Sequence, residues 1–147
     1  MPSTQVWDAA AALRKVGLRV TRQRLAVLDA LRDRPHASAD TLTTVTREAL
    51  GSVSVQAVYD VLAACAEHGL VRRIQPAGSP ALFEARTQDN HHHLVCVSCA
   101  KIADVDCVSG EAPCLIPDDA QGFAVSAAEV VFWGTCPDCA TAAASPQ

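Results

Sequence analysis

The stretch Ser54-Val55-Gln56-Ala57-Val58-Tyr59-Asp60-Val61-Leu62-Ala63-Ala64-Cys65-Ala66-Glu67-His68-Gly69 decides the fold of the first half of the chain. Val58, Val61, Leu62 and Cys65 recur at helical spacing, so they share one face and predict a core-facing helix. Cys65 then serves as a small core residue. Ser54 is placed to cap the first turn and Gly69 to stop the last. Beyond Gly69, residues 70–75 and 81–85 read as two short strands around the turn cluster Pro76-Ala77-Gly78-Ser79-Pro80.

Three more helices precede that stretch. Residues 5–16 are Ala-rich and suit a short helix that Gly17 ends. Thr21 reads as the cap of a second helix, with Leu25, Val27, Leu28 and Leu31 on its apolar side and Pro35 closing it. Ser38 caps a third, which runs through Leu42, Val45 and Leu50 to Gly51. Helices followed by a β-hairpin form the winged helix-turn-helix arrangement. The helix from Ser54 is then the candidate recognition helix, because the N-terminal end of that element meets base edges. Ser54, Gln56 and Tyr59 lie there; Gln is suited to reading adenine. Arg19, Arg22 and Arg24 cluster around the start of the second helix and are candidate phosphate contacts.

Charge supports two separate jobs. The 147 residues carry a net charge of −4, but unevenly. Residues 1–86 hold 11 Lys and Arg against 8 Asp and Glu, a balance of +3. Residues 87–147 hold 1 against 8, a balance of −7. A basic half suits a phosphate backbone and an acidic half suits cations. The expected division is residues 1–86 for DNA binding and 87–147 for metal binding, with 87–90 as linker. No run of about 18 apolar residues predicts a membrane span, and no signal pattern opens the chain. A cytoplasmic protein is expected, where paired cysteines bind metal more often than they form disulfides.

The second half begins His91-His92-His93-Leu94-Val95-Cys96-Val97-Ser98-Cys99 and returns to thiols at Cys136-Pro137-Asp138-Cys139. Two Cys-x-x-Cys pairs supply four thiolates to one tetrahedral zinc. Residues 94–97, 102–106 and 123–133 read as strands, 108–121 as loop, and the tail from Ala140 as frayed. On a strand alternate residues share a face, so His91 and His93 point together and His92 points away. Glu84, Asp104 and His36 are candidates to complete a second site on the His91 side. Nitrogen and carboxylate donors without thiolate suit Fe(II) or Mn(II) better than a second structural zinc. Cys107 and Cys114 flank the loop and are expected to be unbridged thiols.

These segments together carry a resemblance. Leu18-Arg19-Val20-Thr21-Arg22-Gln23-Arg24, Val55-Gln56-Ala57-Val58-Tyr59-Asp60-Val61-Leu62, Gly69-Leu70-Val71, the His91–Cys99 run and Trp133-Gly134-Thr135-Cys136-Pro137-Asp138-Cys139 resemble the ferric uptake regulator family of metal-dependent repressors. The segments 56–62, 90–99 and 102–113 look most like its actinobacterial branch, which is associated with repression of catalase-peroxidase. The resemblance implies an α+β homodimer: an N-terminal winged helix-turn-helix and a small C-terminal α/β dimerisation domain. It assigns Cys96, Cys99, Cys136 and Cys139 to structural Zn(II). It assigns His36, Glu84, His91, His93 and Asp104 to a regulatory Fe(II) or Mn(II). An ion that joins His36 to the other four would favour one domain arrangement.

Some relatives also hold a metal on the opposite face of the histidine strand. The positions for it here are Asn90, His92, Glu111 and Ala128, and Asn90 and Ala128 predict it to be absent or weak. The implied function is a non-enzymatic, cytoplasmic repressor that binds a double-stranded DNA operator and responds to peroxide. Iron sensing without oxidation, or a thiol switch at Cys96 or Cys99, are the alternatives. A zinc deaminase would need His-x-Glu and Pro before the first cysteine of its pair; Thr135 stands before Cys136. A metal buffer would need no winged helix.

Overall fold

The computed structural model describes residues 6–87, 89–109 and 112–144. They form two compact units, Met1–Thr87 and Gln88–Gln147. The expected linker over 87–90 includes Gln88, which lies outside the described residues.

The first unit is built on capped helices. Helix α1 spans Ala9–Lys15, and its first turn is capped by Asp8, whose side chain accepts from the Ala11 amide. It starts later than the composition suggested, because the cap fixes its start at Asp8. Helix α2, Arg22–Asp33, is capped by Thr21. Helix α3, Ala39–Leu50, is capped by Ser38 and ends at Gly51, whose φ of +84° demands a residue without a Cβ penalty. Helix α4, Val55–Glu67, is capped by Ser54. Each such cap satisfies an otherwise orphaned amide and is worth about 1 kcal/mol.

The helices bury Leu13, Val27, Leu28, Leu31, Leu42, Val58, Val61, Leu62 and Cys65 in one core, closed by Val71 and Phe83. The wing consists of β2, Arg72–Ile74, and β3, Leu82–Glu84, both shorter than expected. A two-residue strand β1, Ala37–Ser38, pairs with the other edge of β3. Two residues carry no periodicity, so β1 leaves no signal in the sequence. Its pairing sets Ala37 opposite Phe83, while the His36 amide donates to the Phe83 carbonyl at 2.9 Å.

The second unit is a three-stranded sheet in the order β5-β4-β6. Strand β4, His91–Cys96, takes in all three histidines and ends before Val97. It pairs antiparallel with β5, Ile102–Asp106, and parallel with β6, Val131–Gly134. The long strand expected over 123–133 is thus only its last part. The register sets His93 opposite Val131, so residues 123–128 would run beyond the first residue of β4 and have no ladder to join. The stretch 108–121 is irregular where described.

The tail expected to fray from Ala140 is helical through Ala144, and residues 145–147 lie outside the described residues. Pro137–Ala144 form helix α5. Proline at the first helical position, Asp138 in the first turn and an alanine-rich body all favour it. Among the described residues no single helix is long and apolar enough to cross a membrane.

Leu28 is fully buried in the first unit's core. Leu28→Ala should destabilise that unit by about 2–5 kcal/mol through lost contacts and a residual cavity. Chemical denaturation followed by helical circular dichroism reads the change.

Candidate metal centres and nucleic-acid interface

The thiol cluster is assembled by the parallel strand pair. Cys96 ends β4, and opposite it Gly134 ends β6, two residues before Cys136. The Val97 amide bonds the Gly134 carbonyl at 2.8 Å, which ties the two Cys-x-x-Cys segments together. Cys99 sits in the turn after β4, which closes through the Ala100 amide onto the Cys96 carbonyl at 2.9 Å. That turn forces Ala100 to a φ of +62°, a left-handed conformation that non-glycine residues rarely adopt. Cys136 precedes α5 and Cys139 lies in its first turn.

The four sulfurs converge, each within 4.8 Å of the others. Cys99 Sγ and Cys136 Sγ are 3.7 Å apart. Sulfurs around a tetrahedral zinc stand about 3.8 Å apart, given bonds of about 2.3 Å, so the donors suit that ion with little movement.

Amide groups point at the sulfurs. The Cys136 amide donates to Cys96 Sγ at 3.3 Å, and the Cys139 amide to Cys136 Sγ at 3.5 Å. The Cys136 amide, with those of Cys99 and Ser98, lowers the Cys96 thiol from 9.0 to about 6. Cys139 is raised to about 12, because hydrogen bonding with the sulfurs of Cys136, then Cys99 and Cys96, favours its protonated form. With no cation between them the sulfurs share protons; a divalent ion replaces those protons and makes thiolates of all of them. None of the seven cysteines is in a disulfide.

Imidazole and carboxylate side chains approach one another in each unit. In the first, His36 Nε2 is 3.3 Å from Glu84 Oε2, and Arg72 Nη1 is 3.8 Å from Glu84 Oε1. Glu84 is only 1% exposed. A buried carboxylate needs cationic or donor company to remain charged, and His36 and Arg72 supply it. His36 holds a φ of +65°, so the backbone carries strain at the residue that faces Glu84.

In the second unit, His91 and His93 share a face of β4, with ring centroids 5.0 Å apart. Asp104, opposite His93 on β5, approaches His93 Nε2 at 3.5 Å and His91 Nε2 at 3.8 Å. The alternation read from the sequence therefore brings these three together. It missed Asp89, whose Oδ1 lies 2.9 Å from His91 Nδ1. A carboxylate on one ring nitrogen directs the other toward a ligand. Arg72 lies within the strand expected over 70–75, and nothing in the sequence signals its approach to Glu84.

His92 points to the opposite face, as alternation demands. It meets Cys114 there, with Nε2 at 3.1 Å from Sγ. Asn90 donates to Cys107 Sγ at 3.5 Å. Of the positions considered for a metal on this face, Glu111 lies outside the described residues and Ala128 offers no donor. Cys107 and Cys114 are the thiols expected to flank the loop, and nothing local to them signals the approach to His92.

The nucleic-acid candidates lie at two helix starts. The Ser54 hydroxyl accepts from the Ala57 amide at 3.0 Å, so it serves as the cap of α4. Gln56 Nε2 donates to Asp60 Oδ1 at 2.8 Å, which holds the amide group against the helix. Tyr59 is 45% exposed. Near α2, Arg24 Nη1 donates to the Arg19 carbonyl at 2.7 Å, and Arg22 is exposed. Arg24 thereby braces the turn that carries Arg19.

A capped helical unit with a wing, joined in sequence to a sheet unit rich in thiol and imidazole donors, defines a metal-binding regulator of the winged-helix class. The chain belongs to the Ferric uptake regulator family, whose model matches residues 15–131. It is 58% identical over 132 residues to the transcriptional regulator FurA of Mycobacterium tuberculosis, covering 90% of each chain. The ferric uptake regulator structure from Pseudomonas aeruginosa with manganese is similar at a TM-score of 0.65 and 27% identity, covering 89% of this chain and 99% of that one. The Campylobacter jejuni peroxide stress regulator is similar at 0.64 and 25% identity, covering 90% and 100%. The protein is therefore a transcriptional regulator of this family rather than an enzyme.

In metal-depleted protein a thiol should ionise near pH 6: protonated below that value, thiolate above it. Ultraviolet thiolate absorbance reads the step, and Cys96→Ser should remove it. A first ionisation left at the ordinary thiol range would mean that the amide cradle does not form.

Proposed function

We propose that this protein is a metal-gated repressor of oxidative-defence genes such as catalase-peroxidase, with residues 1–86 as its DNA-binding domain and 87–147 as its metal-binding dimerisation domain. The single observation that carries the metal reading is the pairing of imidazoles with carboxylates in both units: His36 with Glu84, and His91 and His93 with Asp104. Those five residues are the proposed ligands of one Fe(II) or Mn(II). Their nitrogen and oxygen donors suit either ion.

Structural Zn(II) is assigned to Cys96, Cys99, Cys136 and Cys139. The second unit needs such a staple. Its helix α5 buries no residue, and Leu94, Phe132 and Trp133 are about half exposed. A unit this small gains little from its own core, and metal or association usually supplies the remainder. The half-exposed Leu94 and Phe132 are neighbours across β4 and β6, which favours a homodimer contact there.

The gate follows from linkage. A ligand set drawn from both domains makes the ion bind one domain arrangement better than others, and that differential affinity shifts the population. The favoured arrangement binds a double-stranded operator through the α4 start, with Gln56 and Tyr59 toward bases and Arg19, Arg22 and Arg24 toward phosphates. The relative solved with manganese and the peroxide stress regulator support the choice of ion and of signal.

His36 is the only proposed imidazole ligand from the DNA-binding half. His36→Ala should weaken metal-activated operator binding by about tenfold or more, with zinc content and dimerisation unchanged. Full metal dependence in that variant, read by fluorescence anisotropy, would overturn the gate.

His36 and His91 are among the residues that would hold the ion, and Fe(II) there would supply the electrons that reduce peroxide, so these imidazoles are the expected targets of the oxidant. The iron form should therefore lose operator binding at low peroxide, with an oxygen atom added to a peptide carrying one of those histidines. The manganese form should stay bound and unmodified. Peptide mass spectrometry decides; disulfides among the four zinc cysteines with intact histidines would point to a thiol switch instead.

A further inference from the structure

The face of β4 opposite His91 and His93 carries a donor cluster that the regulator reading does not use. Side chains from three separated positions meet there: His92 in β4, Cys107 just after β5, and Cys114 seven residues further along the chain. One donor atom from each lies within 4.8 Å of the others. His92 Nε2 and Cys114 Sγ are 3.1 Å apart. Around a tetrahedral zinc a nitrogen and a sulfur stand about 3.5 Å apart and two sulfurs about 3.8 Å, so small adjustments would seat one ion among all three.

His92 gives a second, independent indication. Its residue is 6% exposed, and its Nδ1 is buried with no hydrogen-bond partner among the described residues. A buried imidazole ordinarily has strong partners. Here its Nε2 meets a thiol, which is a weak donor and a weak acceptor. Cys107 Sγ in turn lies 3.5 Å from Asn90 Nδ2 and 3.3 Å from Ser109 Oγ. An amide that donates to a sulfur favours its thiolate form, the form that binds metal.

We propose that His92, Cys107 and Cys114 form a second thiophilic metal site, separate from the four-cysteine cluster, which takes Zn(II) on one imidazole and two thiolates. Two thiolates neutralise the ion's charge, and nitrogen with sulfur is the donor set that zinc prefers over Fe(II) and Mn(II). Three protein ligands leave a fourth position open to water or a small thiol, unlike the closed four-cysteine cage. The same strand would then present hard donors on one face and a soft site on the other.

The test uses full-length, reduced protein that retains one zinc per subunit, titrated with Co(II) as a spectroscopic probe. One equivalent should produce thiolate-to-cobalt charge-transfer absorption and the visible bands of tetrahedral cobalt. The nitrogen and oxygen donors of the regulatory ligands give no such charge transfer, so the two sites are read separately. Cys107→Ser/Cys114→Ser should abolish the absorption without loss of the retained zinc. His92→Ala should weaken cobalt binding by about tenfold or more. In the wild-type protein, excess Zn(II) should slow alkylation of Cys107 and Cys114, a measurement that needs no variant. The proposal is overturned if cobalt gives no thiolate absorption, if the absorption persists in the double variant, or if zinc leaves the alkylation rates of Cys107 and Cys114 unchanged.

Discussion

Everything in the C-terminal unit hangs on four sulfurs sharing one small volume. The sheet has three short strands, and its helix buries nothing. Without a cation the sulfurs compete for protons: the amide of Cys136 pulls Cys96 down to about 6, while its neighbours push Cys139 up to about 12. A divalent ion resolves that competition in one step, because it favours every thiolate at once. The parallel pairing of β4 and β6 makes the convergence possible. It brings the end of one Cys-x-x-Cys strand beside the lead-in to the other, although they are about 40 residues apart in sequence.

The same strand that delivers Cys96 delivers the histidines, so the thiol and imidazole donor sets are mechanically linked. The pleat sends His91 and His93 to one side and His92 to the other. Asp104 faces the first pair across the antiparallel ladder, and Asp89 fixes the ring of His91 from behind. Hard oxygen and nitrogen donors collect on one face, while sulfur collects at the strand's end and around His92. In the N-terminal unit, β1 is too short to add much stability, yet it sets His36 against Glu84. The left-handed backbone of His36 is held by its bond to the Phe83 carbonyl, so an otherwise minor strand acts as a positioning device.

The helical core was legible because caps and apolar spacing are local properties. Thr21, Ser38 and Ser54 announce helix starts, and each one caps in the folded chain. Strand limits were less legible, because a strand is as long as its partner allows. Residues 123–128 have strand-like composition but would extend beyond the start of β4. Helix α5 was missed for a different reason: its small residues show no apolar stripe, and its start rests on Pro137 beside the zinc-type cysteines.

Residue type and spacing alone fixed the donor inventory: two Cys-x-x-Cys pairs, an alternating histidine run, and a basic half followed by an acidic one. These follow from period-two and period-3.6 geometry and from ligand chemistry, which operate over a few residues. Tertiary structure alone decided the long-range company. It set Asp89 behind His91, Arg72 beside Glu84, and Cys114 against His92. Cys107 and Cys114 sit 15 and 22 residues from His92, in a region with no regular period. Only the path of the chain after β5 brings them to that face of the sheet, and no local rule encodes that path.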